Sequence, residues 1–220
     1  MRKLLSCVLM MTLLLAGCGG QQAESDSPEQ LATQIRGEYL SLAGWNGQVE
    51  VTAHYDQQVY AFTLDVQWRR EGETVLTVTS PELLSGITAR IQDGEGTLEY
   101  DGAGLSIGAL DADGLTPIAA IPALMEQVCT GYIARCDWQE AGEGRELHLQ
   151  CRDPERDEGE GREDELWLDP DTHALLQAEV SVDGICRLEL TFTKFTMEMT
   201  QNETGDHADL GGDQPGQSGT

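Results

Sequence analysis

Val49-Glu50-Val51-Thr52-Ala53-His54-Tyr55-Asp56, followed after a short polar break by Phe62-Thr63-Leu64-Asp65-Val66-Gln67-Trp68-Arg69, decides the fold. Val49, Val51, Ala53 and Tyr55 alternate with polar neighbours, and so do Phe62, Leu64, Val66 and Trp68. Successive side chains of a strand point to opposite faces, so this period of two predicts strands with one oily and one wet face, the signature of an antiparallel sheet. Towards the C-terminus the pattern returns at Ile87, Ala89 and Ile91, then at Leu98 and Tyr100, with hairpin turns at Asp93-Gly94 and Asp101-Gly102. It resumes at Leu147 and Leu149, Leu166 and Leu168, Leu176 to Val182, and Cys186, Leu188, Leu190 and Phe192, with Asp169-Pro170-Asp171-Thr172 as a turn. At Lys194 the apolar parity slips to Phe195, Met197 and Met199, which predicts a bulge or an edge twist.

Two segments keep helical spacing instead. Ser27-Pro28-Glu29-Gln30 combines an N-cap, a proline at the first helical position and a capping-box glutamine; Leu31, Ile35, Tyr39 and Leu42 follow on one stripe, and Gly44 is the expected stop. Between Thr116 and Tyr132, Ile118, Ile121, Met125, Val128 and Tyr132 form a second stripe, with Pro117 and Pro122 near its start. Roughly ten strands with one apolar face need covering, and two helices must supply the cover. The predicted fold class is therefore mainly β with two helices: a strongly curved antiparallel sheet, an incomplete barrel, covered by an N-terminal helix and a mid-chain helix. A closed barrel with a central plug competes with it. Phe62, Leu64, Trp68, Leu83, Leu84, Leu124 and Met125 are the candidate lining of a hydrophobic concavity, the alternative being plain core filling.

The chain has 220 residues, with 13 Lys+Arg against 39 Asp+Glu and a net charge of −26, which argues against nucleic acid as a partner because phosphate contacts need clustered cations. Met1-Arg2-Lys3 and the apolar run Leu4 to Leu15 have the form of an export signal, too short to span a bilayer. Leu15-Ala16-Gly17-Cys18 then resembles the lipobox of bacterial lipoproteins. That resemblance implies cleavage before Cys18, a diacylglyceryl thioether on Cys18, and anchoring by acyl chains such as palmitate to the bacterial cell membrane on its extracytoplasmic side. Stable anchoring needs more than one chain. Loss of Arg2 and Lys3 with the leader takes the charge from −26 to −28. The expected organisation is a signal peptide over 1–17, a lipidated tether over 18–26, a folded domain over 27–200, and a disordered, acidic, Gly-rich tail over 201–220.

Ser80-Pro81-Glu82-Leu83-Leu84-Ser85-Gly86-Ile87-Thr88-Ala89, Leu98-Glu99-Tyr100-Asp101-Gly102, Leu105-Ser106-Ile107-Gly108, the Pro-bearing helix and Leu168-Asp169-Pro170-Asp171-Thr172-His173-Ala174-Leu175-Leu176 together resemble the LolA-like lipoprotein-sorting superfamily, most of all its lipid-anchored members from spore formers, the GerS-type germination lipoproteins. The resemblance implies an open half-barrel with a helical lid and a concavity able to hold acyl chains. For the germination members it also implies a protein adaptor role beside a cell-wall amidase that modifies the spore cortex. Unlike the soluble carriers this chain carries an anchor sequence, and Arg69, Arg90 and Arg187 fall on polar faces, so none matches the carriers' lid-latching arginine.

Residues that could carry chemistry point elsewhere. Gly104-Leu105-Ser106-Ile107-Gly108 spells a nucleophile elbow, but that device needs a helix immediately after the serine, and the β pattern makes Leu105 and Ile107 core residues flanking an exposed Ser106. His54, His148, His173 and His207 lack ligand spacing and read as solvated surface residues; Asp153 to Glu165 is a charge-dense loop without a calcium-loop pattern; no metal or cofactor is expected. Cys129, Cys136, Cys151 and Cys186 permit two disulfides in three connectivities. A hairpin register placing Trp138 opposite Leu149 would place Cys136 opposite Cys151 and leave Cys129 with Cys186; buried free thiols are the alternative. With no nucleophile, base and orienting group to assemble, the expected function is non-enzymatic: binding a lipid, acyl or other hydrophobic ligand, or adapting a cell-wall enzyme.

Overall fold

A computed structural model describes residues 27–111, 114–142 and 144–200. The signal peptide, Cys18, the tether and the tail lie outside the described residues. The elements are α1 (Pro28–Leu40), β1 (Leu42–Tyr55), β2 (Gln58–Arg69), β3 (Thr74–Ser80), a 3-10 turn (Glu82–Leu84), β4 (Thr88–Gln92), β5 (Glu95–Tyr100), β6 (Ala103–Ala109), α2 (Pro117–Thr130), β7 (Ile133–Ala141), β8 (Gly144–Arg152), β9 (Arg162–Leu168), β10 (Leu175–Val182) and β11 (Ile185–Met199). Eleven strands of the described residues form one sheet in the order β6-β5-β4-β3-β2-β1-β11-β10-β9-β8-β7. Two meanders meet where β1 pairs antiparallel with β11, and α2 carries the chain from one edge, β6, to the other, β7. Because β6 and β7 do not pair, the sheet stays open, and the incomplete barrel prevails over the closed one.

The first helix starts as its sequence dictates. Ser27 Oγ accepts from the Gln30 backbone N–H at 3.3 Å while Ser27 N–H donates to Gln30 Oε1 at 3.2 Å, two otherwise orphaned donors satisfied together. Leu31, Ile35 and Tyr39 are buried on the expected stripe. The stop differs from expectation. The helix ends at Leu40, capped by Ser41, and Leu42 enters the core from β1. Gly44 is a strand residue, required because a Cβ there would lie 2.5 Å from the Trp68 carbonyl oxygen.

Alternation is realised across the sheet: Trp45, Val49, Val51 and Ala53 of β1, Leu64, Val66 and Trp68 of β2, and Leu188, Leu190 and Phe192 of β11 share one buried face. Each fully buried side chain of this kind contributes about 1.5–3 kcal/mol. The slip foreseen at Lys194 is present, for Gln48 pairs with Lys194 but Val49 with Phe192. The extra residue lets Phe195 turn in and stack on Trp45 with ring centroids 4.6 Å apart. Two strand readings need correction. The run at Thr74–Ser80 forms β3, which the sequence pattern did not single out. Leu105 and Ile107 lie on the edge strand β6 and are exposed, because no further strand or helix covers that edge.

Candidate ligand-binding site

The helices do not cover the sheet evenly. α1 packs on α2, β7 and β8, and α2 packs on α1 and β9. The start of α2 lies against the inner wall of β2 to β5, and a cavity of about 260 Å³ remains there. Phe62 and Leu64 of β2, Leu76 and Val78 of β3, Ala89 of β4 and Leu98 of β5 form its wall. Leu84 and Ile87 close one side, Pro117 and Ile118 the other. The single polar lining side chain, Thr116, is engaged as N-cap of α2, accepting from the Ala119 N–H at 3.2 Å. The cavity therefore offers a ligand hydrocarbon contact and no charge. Its oily wall continues outward, since Leu105 pairs with Leu98 and so shares its face, and is 65% exposed.

Of the expected lining, Phe62, Leu64 and Leu84 reach this cavity. Trp68, Leu124 and Met125 are buried in the packed core instead. Leu124 and Met125 sit on the stretch of α2 that leans towards the β9 side, and Trp68 lies at the far end of β2 beneath the Arg70 guanidinium, 5.5 Å from its ring centroid. Leu83 points to solvent at 87% exposure, because consecutive side chains of one 3-10 turn cannot both face inward. Leu76, Val78, Ile87, Ala89, Leu98 and Ile118 were missed as lining. Alternation identifies the face of a strand but not how far along it the cover ends.

Polar candidates resolve differently. A larger cavity of about 670 Å³ includes Arg152, Arg156, Arg162 and Asp164. Arg162 grips Asp164 through two nitrogens at 2.7–3.1 Å and Arg156 faces Asp153 at 3.6 Å, so two of the three guanidiniums face carboxylates within the chain, while Arg152 donates to the backbone carbonyls of Asp153 and Arg156. Burial outweighs the Arg162 contacts and raises the Asp164 carboxyl. Ser106 lies mid-strand on β6, opposite Thr97, without the following helix a nucleophile elbow requires. His148, expected to be solvated, is only 6% exposed: it joins Glu165 and, at 3.3 Å, Asp137, and stacks on Trp167. His173 lies in the expected turn but is also held, with Nδ1 2.6 Å from Glu38 Oε2.

The cysteine expectations are corrected. All four described thiols are free. Trp138 stands opposite Leu147 and Cys136 opposite Leu149, a register two residues away from the one that would have paired Cys136 with Cys151. Cys129 accepts from Arg70 Nη2 at 3.5 Å among the core-facing residues of α2, whereas Cys186 lies near Glu189 on the outer wall, 3.9 Å away; the sheet separates the two. Burial pushes the Cys136 thiol up to about 11 and the Cys151 thiol to about 12, so both are protonated and unreactive at neutral pH.

No family model and no curated protein matches the sequence. Solved structures similar to it include a LolA superfamily protein from Nitrosomonas europaea, at 9% identity over 80% of this chain and 95% of that one, TM-score 0.38. The lipoprotein LppX of Mycobacterium tuberculosis is 17% identical over 76% of this chain and 95% of that one, TM-score 0.44. A chain in the structure of the CwlD amidase from Clostridioides difficile in complex with the GerS lipoprotein is 13% identical over 76% of this chain and 94% of that one, TM-score 0.42. Fold and cavity define the class: an open antiparallel half-barrel around two helices, with an apolar hollow beside the second. Among the described residues no helix is long and apolar enough to cross a membrane.

Proposed function

We propose that this chain is a non-enzymatic, extracytoplasmic lipoprotein, held at the bacterial cell membrane through Cys18, that takes up the acyl part of a lipid or a comparable hydrophobic ligand in the cavity between β2–β5 and the start of α2. The observation that carries this reading is the lining: ten apolar side chains, with the one hydroxyl already committed to a helix cap. A hollow of that composition gains from hydrocarbon and from little else. At about 260 Å³ it lies just below the roughly 300–1,000 Å³ of ordinary small-molecule sites, which suits one acyl tail rather than a whole lipid. The exposed Leu105, on the same face as Leu98, then meets the remainder of the acyl chain at the rim.

Native mass spectrometry of protein purified without detergent tests the reading. The expected spectrum contains a lipid adduct, and Ile118→Trp, which fills the mouth from α2, removes the adduct while circular dichroism stays unchanged. A bare mass for the parent protein, together with no binding of a fluorescent fatty acid, contradicts it.

A further inference from the structure

On the outer wall, opposite the cavity face, three adjacent strands bring together donors that lie far apart in sequence. His54 is near the end of β1, Cys186 and Glu189 are near the start of β11, and Glu179 is on β10. His54 Nε2 lies 3.0 Å from Glu189 Oε1, and Cys186 Sγ lies 3.9 Å from the same oxygen. Among the described residues, the imidazole nitrogen, the thiol sulfur and the carboxylate oxygen of these three all fall within 4.8 Å of one another.

Two features of the sheet make this more than proximity. Val180 pairs with Leu188 but Ser181 pairs with Cys186, so Arg187 is an extra residue on β11. Without that bulge Cys186, two positions from the buried Leu188, would point into the core; with it the thiol turns outward, the kind of re-aiming that bulges bring about. Glu179 also stands directly opposite Glu189 across the β10–β11 pair, and opposite Glu165 on its other side. Like charges placed directly across a ladder repel, and among the described residues the basic side chain within 4 Å of the Glu189 carboxylate is the His54 imidazole. The Cys186 thiol faces both Glu179 and Glu189.

We propose that His54, Cys186 and Glu189, with the Glu179 carboxylate as fourth donor, form a surface site for a borderline divalent transition cation of the Zn²⁺ type. Metal bonds of about 2.0–2.3 Å place tetrahedral donors roughly 3.3–3.8 Å apart, and the observed 3.0 and 3.9 Å need only small side-chain rotations to match. Imidazole with thiolate selects such a cation over Ca²⁺ or Mg²⁺, which want oxygen donors alone. On binding, the thiol gives its proton to solvent and the sulfur lone pair fills the metal–sulfur bond. The cation offsets the facing carboxylates and ties β1, β11 and β10 together where the two meanders join.

Titration of the chelator-treated, reduced full chain with Co²⁺ tests the site. One equivalent should produce thiolate-to-cobalt charge-transfer absorption that Zn²⁺ then abolishes. Cys186→Ser should lose the band, His54→Gln should weaken Kd at least about tenfold, and Cys136→Ser should keep both band and affinity. No band in the parent protein, or a band of full strength in Cys186→Ser, overturns the proposal.

Discussion

At the scale of single residues, His148 shows how the wet face of the sheet contributes to stability. Its hydrogen bond to Glu165 raises its pKa above the ordinary 6.5, burial opposes this, and Asp137 adds to the rise. A histidine raised in the folded state lends stability that is complete below its unfolded pKa, near 6.5, and disappears as pH climbs through the raised folded value. Unfolding free energy measured in urea should therefore fall as pH rises through that window. His148→Gln should flatten the dependence, and an identical slope in the variant would show that the imidazolium is not the source. Nothing in the sequence distinguishes His148 from His54, since both alternate with apolar neighbours. The difference comes from Trp167 and Glu165 on the adjoining strand, and strand neighbours are set by register.

Among elements, local chemistry was the most legible part of the chain. The capping box of α1, the turn at Asp169 and the bulge at Lys194 follow from a few adjacent residues, and each is where the sequence places it. Ser27→Ala should cost about 0.5–2 kcal/mol, read as a shift of the urea midpoint at constant slope; no shift would mean that tertiary packing alone holds the helix start. What depended on partners far along the chain was not legible. Gly44 reads as a helix stop, yet it is the close approach of Trp68 and Arg69 from β2 that demands a glycine there. Cys186 reads as a core position until the extra residue Arg187 turns it outward. The hairpin of β7 and β8 has a register that its few apolar residues do not determine, and both disulfide expectations rested on it. The cavity is a sharper instance, because every lining strand shows the right alternation while the gap exists only because both helices lean towards β7–β9.

For the molecule as a whole, the open sheet has a dry inner wall and an acidic outer one, and the two helices divide the inner wall into a sealed half and a hollow half. The proposed anchor adds a location. Cys18→Ser should move the protein from the membrane fraction to the soluble fraction and abolish incorporation of labelled palmitate; retention at the membrane with no label would mean that something other than acyl chains holds it there. The central claim is that the hollow half, and not the sealed half or the outer wall, receives hydrocarbon. A fatty acid carrying a photoreactive group at its methyl end, bound to the protein, irradiated and mapped by peptide mass spectrometry, tests it most directly. The account predicts cross-links on Leu76, Val78, Ala89, Leu98 and Ile118; labelling confined to outward-facing residues, or no labelling at saturating probe, contradicts it.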